Sequence, residues 1–234
     1  MAGRLMVPQL TTRGRNTDVC VAVMPFGSRV FPTAESLVIG ATPAAKGATT
    51  IDLAAPTTNA FVKGQGLLFV DANDLQFFAV IDENADAGVS SLTVLPLGEE
   101  IPAAAAAAFP VRSLLRTSAD LSESVETEEI DTFDHLSTAY LQTGQNGEFS
   151  AEGLYSAFDP GAACVRAAME QGLRVYVRRT LEKPSDQYVS GAREEFFAIV
   201  TSVEMPATVD GSVAFNVSFQ VDGEISRSAP VPVA

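Results

Sequence analysis

Three stretches in the second half of the chain alternate polar and apolar side chains with a period of two, a pattern that suits strands wet on one face and dry on the other. In SADLSESVETEEI, Asp120, Ser122, Ser124 and Glu126 share one face, and Leu121 and Val125 share the other, with Glu123 interrupting the apolar side. GEFSAEGLYS sets Glu148, Ser150 and Glu152 against Phe149, Ala151, Gly153 and Tyr155. VAFNVSFQV sets Ala214, Asn216, Ser218 and Gln220 against Val213, Phe215, Val217 and Phe219. Leu173–Leu181 and Phe196–Glu204 read as further strands, and Val19–Val23 as a first strand closed by Pro25 and Gly27. The fold class is therefore mainly β: a β-sandwich or open barrel, to which one helix is added.

That helix is announced by its ends. Asp159-Pro160 supplies an N-cap and a first-turn proline, and Gly172 stands where a C-terminal cap belongs. Between them Ala162, Val165 and Met169 recur at helical spacing, and Arg166 and Glu170 are set for an i,i+4 pair on the other side.

Residues 36–113 are richer in Ala, Thr, Gly and Pro and contain a repeat. AAKGATTIDL (Ala44–Leu53) aligns with ADAGVSSLTV (Ala85–Val94), with Gly47 matching Gly88. Each copy is followed by a proline, Pro56 or Pro96, and then by a second apolar stretch. Two units this short cannot each bury a face, so they are expected to pair into one small β-barrel-like domain. The run Ala103–Ala108, bracketed by Pro102 and Pro110, is read as a loop or short turn despite its helical propensity. The division that results is an arm and first strand over 1–35, an inserted β-rich domain over 36–113, and a main β domain with a C-terminal arm over 114–234. Residues before Val19 have no periodicity and read as an arm that orders against a neighbour.

Fifteen basic against twenty-nine acidic side chains leave a formal charge of -14, which repels phosphate backbones and disfavours ordinary nucleic-acid binding. No apolar segment is long enough to cross a bilayer as a helix, and the opening residues lack a signal-peptide core, so no membrane insertion is expected. Cys20 and Cys164 stand far apart without CxxC or Cys/His spacing, which predicts buried thiols rather than a disulfide or a metal site. His135 is the single histidine; lying near Asp131 and Asp134, it lacks the second imidazole or thiolate a site would need. Glu123, Glu126, Glu128, Glu129, Asp131 and Asp134 lack the turn glycine and ligand spacing of a calcium loop, and DANDLQ (Asp71–Gln76) reads as a turn. No nucleophile elbow, phosphate-binding loop or zinc motif occurs. No catalytic residue, metal or cofactor is expected, and the chain reads as a non-enzyme.

Several landmarks in order resemble the tail tube (major tail) proteins of long-tailed phages. EEIDTFDHLSTAYLQTGQNGEFSAEGLYS is similar to that family's strand, long hairpin loop and return strand; FDPGAACVRAAMEQGLRVYVRRTL to its helix and next strand; and FFAIVTSVEMPATVDGSVAFNVSFQVDGEISRS to its closing strands. The resemblance covers residues 15–33 and 114–228, with the tryptophan often found near the hairpin missing here. It implies a structural virion protein, made in the bacterial host cytoplasm and located in the phage tail. Its hexameric rings would stack into a tube that conducts DNA, with itself and other tail proteins as partners and DNA as a transient, non-specific passenger. Under that reading Ser122, Ser124, Glu126, Glu148, Ser150, Glu152, Asn216, Ser218 and Gln220 line the lumen. Loop 131–147, with Phe133, Tyr140 and Leu141 as apolar anchors, makes the ring-to-ring contact. The inserted domain would lie outside the tube, and the tail SRSAPVPVA would add assembly contacts. The competing reading is a virion module that binds a host-surface component or glycan through residues 36–113.

Overall fold

The computed structural model describes residues 18–25, 27–113, 116–130, 139–182, 187–206 and 213–232. In chain order its first half contains β1 (Asp18–Val23), β2 (Glu35–Val38), β3 (Thr50–Asp52), β4 (Gly66–Val70), β5 (Gln76–Val80), β6 (Ser91–Thr93), β7 (Ala106–Phe109) and β8 (Val111–Arg112). The second half contains β9 (Arg116–Ile130), β10 (Ala139–Leu154), α1 (Pro160–Gln171), β11 (Arg174–Thr180), β12 (Tyr188–Ser190), β13 (Arg193–Glu204), β14 (Ala214–Val221), β15 (Ser226–Ser228) and β16 (Val231–Pro232). The result is mainly β, with several antiparallel sheets, one helix among the described residues and no closed barrel.

The largest sheet runs β8-β1-β11-β13-β14-β10-β9, with β15 added beside β13. Its two edge strands, β8 and β9, are successive in the chain: four residue steps, from Arg112 to Arg116, connect opposite edges. Four extended steps span at most about 14 Å, so the sheet must curl until its edges approach. Arg179 on β11 spans the opening, donating from Nη1 to the Ala119 carbonyl on β9 at 2.8 Å while pairing with Glu194 at 2.6 Å. The concave side is filled by Val21, Val175, Val177, Phe149, Phe196, Ala198, Phe215, Val217 and Phe219, all buried. Phe149 meets the Phe196 and Phe219 rings, each at 5.5 Å between centroids. Each such phenyl contributes about 2–3 kcal/mol by leaving water.

Helix α1 has the ends its sequence announces. Asp159 accepts from the Gly161 N–H at 2.8 Å, and Gly172 adopts φ 64° at the C-terminus. Ala162, Val165 and Ala168 are buried, but Met169 is 48% exposed, because the buried stripe follows the alanines rather than the largest side chain. Arg166 lays its guanidinium 4.9 Å from the Tyr155 ring centroid instead of reaching along the helix.

From β2 to β7 the chain forms a duplicated unit whose halves interlock, while β8 joins the large sheet beside β1. The four-stranded sheet β2-β7-β4-β5 places strands of the first half (β2, β4) alternately with those of the second (β7, β5), and β3 pairs with β6 so that Ile51 faces Leu92, its own counterpart in the repeat. The hydrogen bonds come in matched pairs. Leu53 N–H donates to Ser90 O as Val94 N–H does to Thr49 O, and Ala54 N–H to Val38 O as Leu95 N–H does to Val80 O. Gly47 N–H donates to Leu97 O as Gly88 N–H does to Thr57 O. The unit therefore has an approximate two-fold axis. Of Ala103–Ala108, only the opening residues are a turn; Ala106–Ala108 belong to β7, since alanine fits a strand whose neighbours leave little room. DANDLQ is the β4–β5 turn, with the Asp71 carboxylate accepting from the Asn73 and Leu75 N–H groups at 2.8 Å each.

The duplicated unit seats on α1 through glycines. A Cβ on Gly64 would lie 2.3 Å from the Ala167 Cβ, and one on Gly66 2.9 Å from both Ala163 Cβ and Pro160 Cα. Gln65 between them is fully buried. Its amide accepts from Val62 N–H at 2.7 Å and donates to the Val23 carbonyl at 3.0 Å, which joins the unit to the end of β1.

Candidate functional site

The face of the large sheet opposite its core carries the wet side chains, and strand register aligns them in rows. Ser122, Glu148 and Gln220 form one row across β9, β10 and β14, continued by Ile199 on β13. Asp120, Ser150, Ser218 and Ser202 form a second, and Ser118, Glu152, Asn216 and Glu204 a third. A groove of about 520 Å³ runs over this face, lined in part by Asp120, Ser122, Glu148, Ser150, Thr201, Ser218 and Gln220. Over β9, β10, β14 and β13 the rows hold four carboxylates, Asp120, Glu148, Glu152 and Glu204, and no lysine or arginine; opposite Ile199 the first row then reaches Arg174 on β11, which pairs with Asp222. Ser122, Glu148, Ser150, Glu152 and Ser218 are exposed; Asn216 and Gln220 are half-buried, Gln220 because its amide donates to the Gly147 carbonyl at 2.9 Å.

Eight of the nine residues expected to form one wet face are placed in this arrangement by their pairing: Ser124 continues it opposite Asn146, and Glu126, the ninth, stands opposite Gly144 in the same ladder, its side chain outside the described set. Asp120, which the alternation already sets on this face but which is not among the nine lumen-lining candidates, completes the rows together with Glu204. Ile199 is the apolar exception, 48% exposed. A bulge in β13 between Val200 and Ser202 shifts its face assignment, which alternation alone does not reveal. Beside Ile199 and Arg174, Phe31 covers the sheet and packs on Tyr176 and Phe197 at centroid distances of 5.4 and 5.0 Å.

Glu123, which seemed to spoil the apolar side of β9, pairs with Arg227 on β15, and Arg227 also reaches Glu194 at 3.5 Å. Arg179, Glu194, Arg227 and Glu123 thus form a charged seam between the sheet's edges. The C-terminal segment that supplies Arg227 pairs within its own subunit, β15 on β13 and β16 on β12, with the side chains of both strands exposed.

β9 and β10 pair with each other from Arg116 to Ile130, but β14 accompanies β10 only over Glu148–Leu154. The remainder, Ser124–Ile130 with Ala139–Asn146, leaves the sheet as a two-stranded ribbon roughly 20 Å long. This corrects the expected loop 131–147: strand β10 begins at Ala139, so Tyr140 and Leu141 stand on the ribbon opposite Glu129 and Glu128. Extended pairing continues there because a second strand satisfies every other backbone group. Phe133 and His135 lie outside the described residues, as do the side chains of Tyr140 and Leu141.

Among the described residues no group of three metal-binding side chains occurs, and no helix is long and apolar enough to cross a membrane. Burial pushes the Cys164 thiol up to about 12, its sulfur lying against the backbone of Gly66 and Val23. Burial raises Cys20 as well, with nearby Asp18 adding to the shift. Neither thiol has the lowered pKa of a nucleophile.

No curated protein matches the chain. Among solved structures, the tail of an empty GTA particle refined with C6 symmetry is 14% identical, covering 49% of this chain and 83% of that one at a TM-score of 0.40. A chain from the virion of the native gene transfer agent particle is 13% identical, covering 49% and 85% at 0.40. A chain from the six-fold symmetrised baseplate of the anti-feeding prophage is 9% identical, covering 74% and 94% at 0.40. These similarities are remote, whereas the family model described as phage tail tube protein matches residues 104–227, more than half of the chain. That span takes in β9, β10, α1 and the closing strands, so the polar rows and the ribbon both fall inside it. The chain belongs to the phage tail tube protein family, and it is a structural protein of the virion tail.

Proposed function

We propose that copies of this chain close into hexameric rings that stack into a tube, with the polar rows of the large sheet facing the lumen past which DNA travels. The observation that carries this reading is the composition of those rows: hydroxyls, amides and four carboxylates, with no cation until Arg174 at their β11 end, where Asp222 pairs with it, on a face whose reverse is the hydrophobic core. Such a wall repels a phosphate backbone at every register and gives it nothing to grip. Ser122, Ser124, Glu126, Glu148, Ser150, Glu152, Asn216, Ser218 and Gln220 are the lining residues in this reading, joined by Asp120.

The ribbon, with Phe133, Tyr140 and Leu141, is the ring-to-ring contact. A two-stranded ribbon has too little to bury by itself and is stabilised by a neighbour. The chain is divided into an arm and first strand (1–35), an insertion outside the tube (36–113) and the tube domain (114–234). It is made in the host cytoplasm, and other tail proteins cap its ends.

Negative-stain microscopy of the purified protein tests this directly, with hollow tubes of uniform bore expected as concentration rises; a protein that stays monomeric under all conditions sinks the reading. Replacing Glu148 and Glu152 by lysine is expected to leave the tubes intact and to slow DNA release from particles built with the variant. Unchanged release would remove the lumen assignment while leaving the tube.

A further inference from the structure

The two-fold unit from β2 to β7 contains its own reference, because each position in one half has a counterpart on the same backbone in the other. Ser36 pairs with Ala108 as Phe78 pairs with Leu68. Ala54 donates to Val38 at 2.8 Å as Leu95 donates to Val80 at 2.9 Å. One side of the two-fold axis thus presents Ser36, Ala54 and Ala108, all exposed, where the equivalent place on the other side presents Phe78, Leu95 and Leu68. Phe158, from the segment between β10 and α1, sets its ring edge-on to Phe78 at 6.2 Å and accounts for part of this change. It does not account for the rest: Phe158 itself is 58% exposed and Leu95 46%. Since Val80 and Leu95 are partnered across antiparallel backbones, their side chains leave on the same side, and Phe158, Phe78, Val80 and Leu95 make one apolar strip.

The halves differ in charge as well. Residues 76–105 hold Asp82, Glu83, Asp86, Glu99 and Glu100 and no lysine or arginine, whereas residues 35–65 balance Glu35 and Asp52 with Lys46 and Lys63. Lys63 pairs with Asp82 at 2.8 Å, which leaves Glu83, Asp86, Glu99 and Glu100 as the acidic excess of the segment that carries Phe78, Val80 and Leu95, and a complementary partner has apolar side chains flanked by cations. Residues 1–17 have that chemistry: Leu5, Met6, Val7 and Leu10 among Arg4, Arg13 and Arg15, with no acidic side chain. Strand β1 runs toward the duplicated unit. Its last residue, Val23, is bonded to Gln65, and Asp18, to which residues 1–17 are joined, is about 17 Å farther away.

We propose that the strip of Phe158, Phe78, Val80 and Leu95 is the seat for residues 1–17 of a second copy, so that the insertion ties neighbouring subunits together. This rests on the reading of the chain as a self-assembling tube subunit. The test mixes two differently tagged full-length chains, one carrying Met6→Cys and the other Leu95→Cys; the native thiols, Cys20 and Cys164, are buried and add little background. Mild oxidation of the assembled mixture is expected to give a disulfide between the two tags. Tubes without that bond overturn the docking and leave the tube reading standing, whereas the absence of any assembly removes both. A chain carrying both substitutions that closes the bond as a dilute monomer also overturns the proposal, since the arm would then seat on its own subunit. Leu95→Ala restores the residue that the other half carries at Ala54, so it should fold normally. It is expected to raise the concentration needed for assembly about tenfold or more with no shift in unfolding midpoint, and unchanged assembly would contradict the docking.

Discussion

Two counterparts in the duplicated unit, Gly64 and Ala104, show how one backbone conformation is treated differently by its surroundings. Both have positive φ, 89° and 61°. At Gly64 the left-handed backbone also lies against Ala167, so Gly64→Ala meets strain and overlap together and is expected to cost about 3 kcal/mol in denaturant unfolding. At Ala104 a Cβ is already present and exposed, so only the strain applies. Ala104→Gly is expected to stabilise by up to about 1 kcal/mol, moderated by the extra freedom glycine gives the unfolded chain. Equal effects from the two substitutions would refute the distinction. Cys164 makes a pH prediction. Its folded pKa is raised to about 12 from 9.0, so the unfolded state loses its proton first as pH rises. Stability is thus fully present below pH 9 and is lost above it, at up to about 1.4 kcal/mol per pH unit from this group. Cys164→Ala should flatten the fall in unfolding midpoint between pH 9 and 11; an unchanged slope would assign it to other groups, such as Tyr176, which burial and Glu195 also shift upward.

At the scale of elements, what a reader of the sequence can recover depends on how local the cause is. The alternation at Phe149–Gly153 and Phe215–Phe219 is local, and so are the caps Asp159 and Gly172; each gave an element close to its observed bounds. The repeat was visible in Ala44–Leu53 and Ala85–Val94, but the interlocking of β2 with β7 was not, because strand partners are chosen by burial far along the chain. Ala103–Ala108 offers no polar contrast from which a period can be read. Glu123 looked misplaced because Arg227 is 104 residues away. The ribbon was mistaken for loop because Gly144 and Gly147, which look like turn residues, sit inside a strand; Gly147 lies where a Cβ would come within 3.0 Å of Val221. The seam at the sheet opening gives an element-scale prediction. Arg179 and Glu194 are each only 13% exposed, and Arg179→Leu strands the Ala119 carbonyl and leaves the Glu194 carboxylate with only the 3.5 Å contact from Arg227. A loss of about 3 kcal/mol is expected, with Arg179→Leu/Glu194→Leu recovering part of it; equal losses in the single and double variants would mean that the two charges are not coupled.

For the whole molecule, the two regions share one continuous core rather than meeting across a linker. Gln65→Leu keeps the volume but leaves the Val23 carbonyl and the Val62 N–H without their partners. It is expected to lower stability by about 2 kcal/mol and to do so in a single cooperative transition; two separate transitions would show that the regions unfold independently. The glycine seat on α1 also has a mechanical side. With Gly64 and Gly66 against Ala167 and Ala163, and Gln171 donating to the Lys63 carbonyl at 2.8 Å, a pull on the duplicated unit is delivered straight into the helix and from there into β1 and β13. Nothing in that path is a slack tether, so a bend or twist of a long filament would load every copy as a rigid lever, and the filament's stiffness would be set in part by the close fit of Gly64 and Gly66 on Ala163 and Ala167.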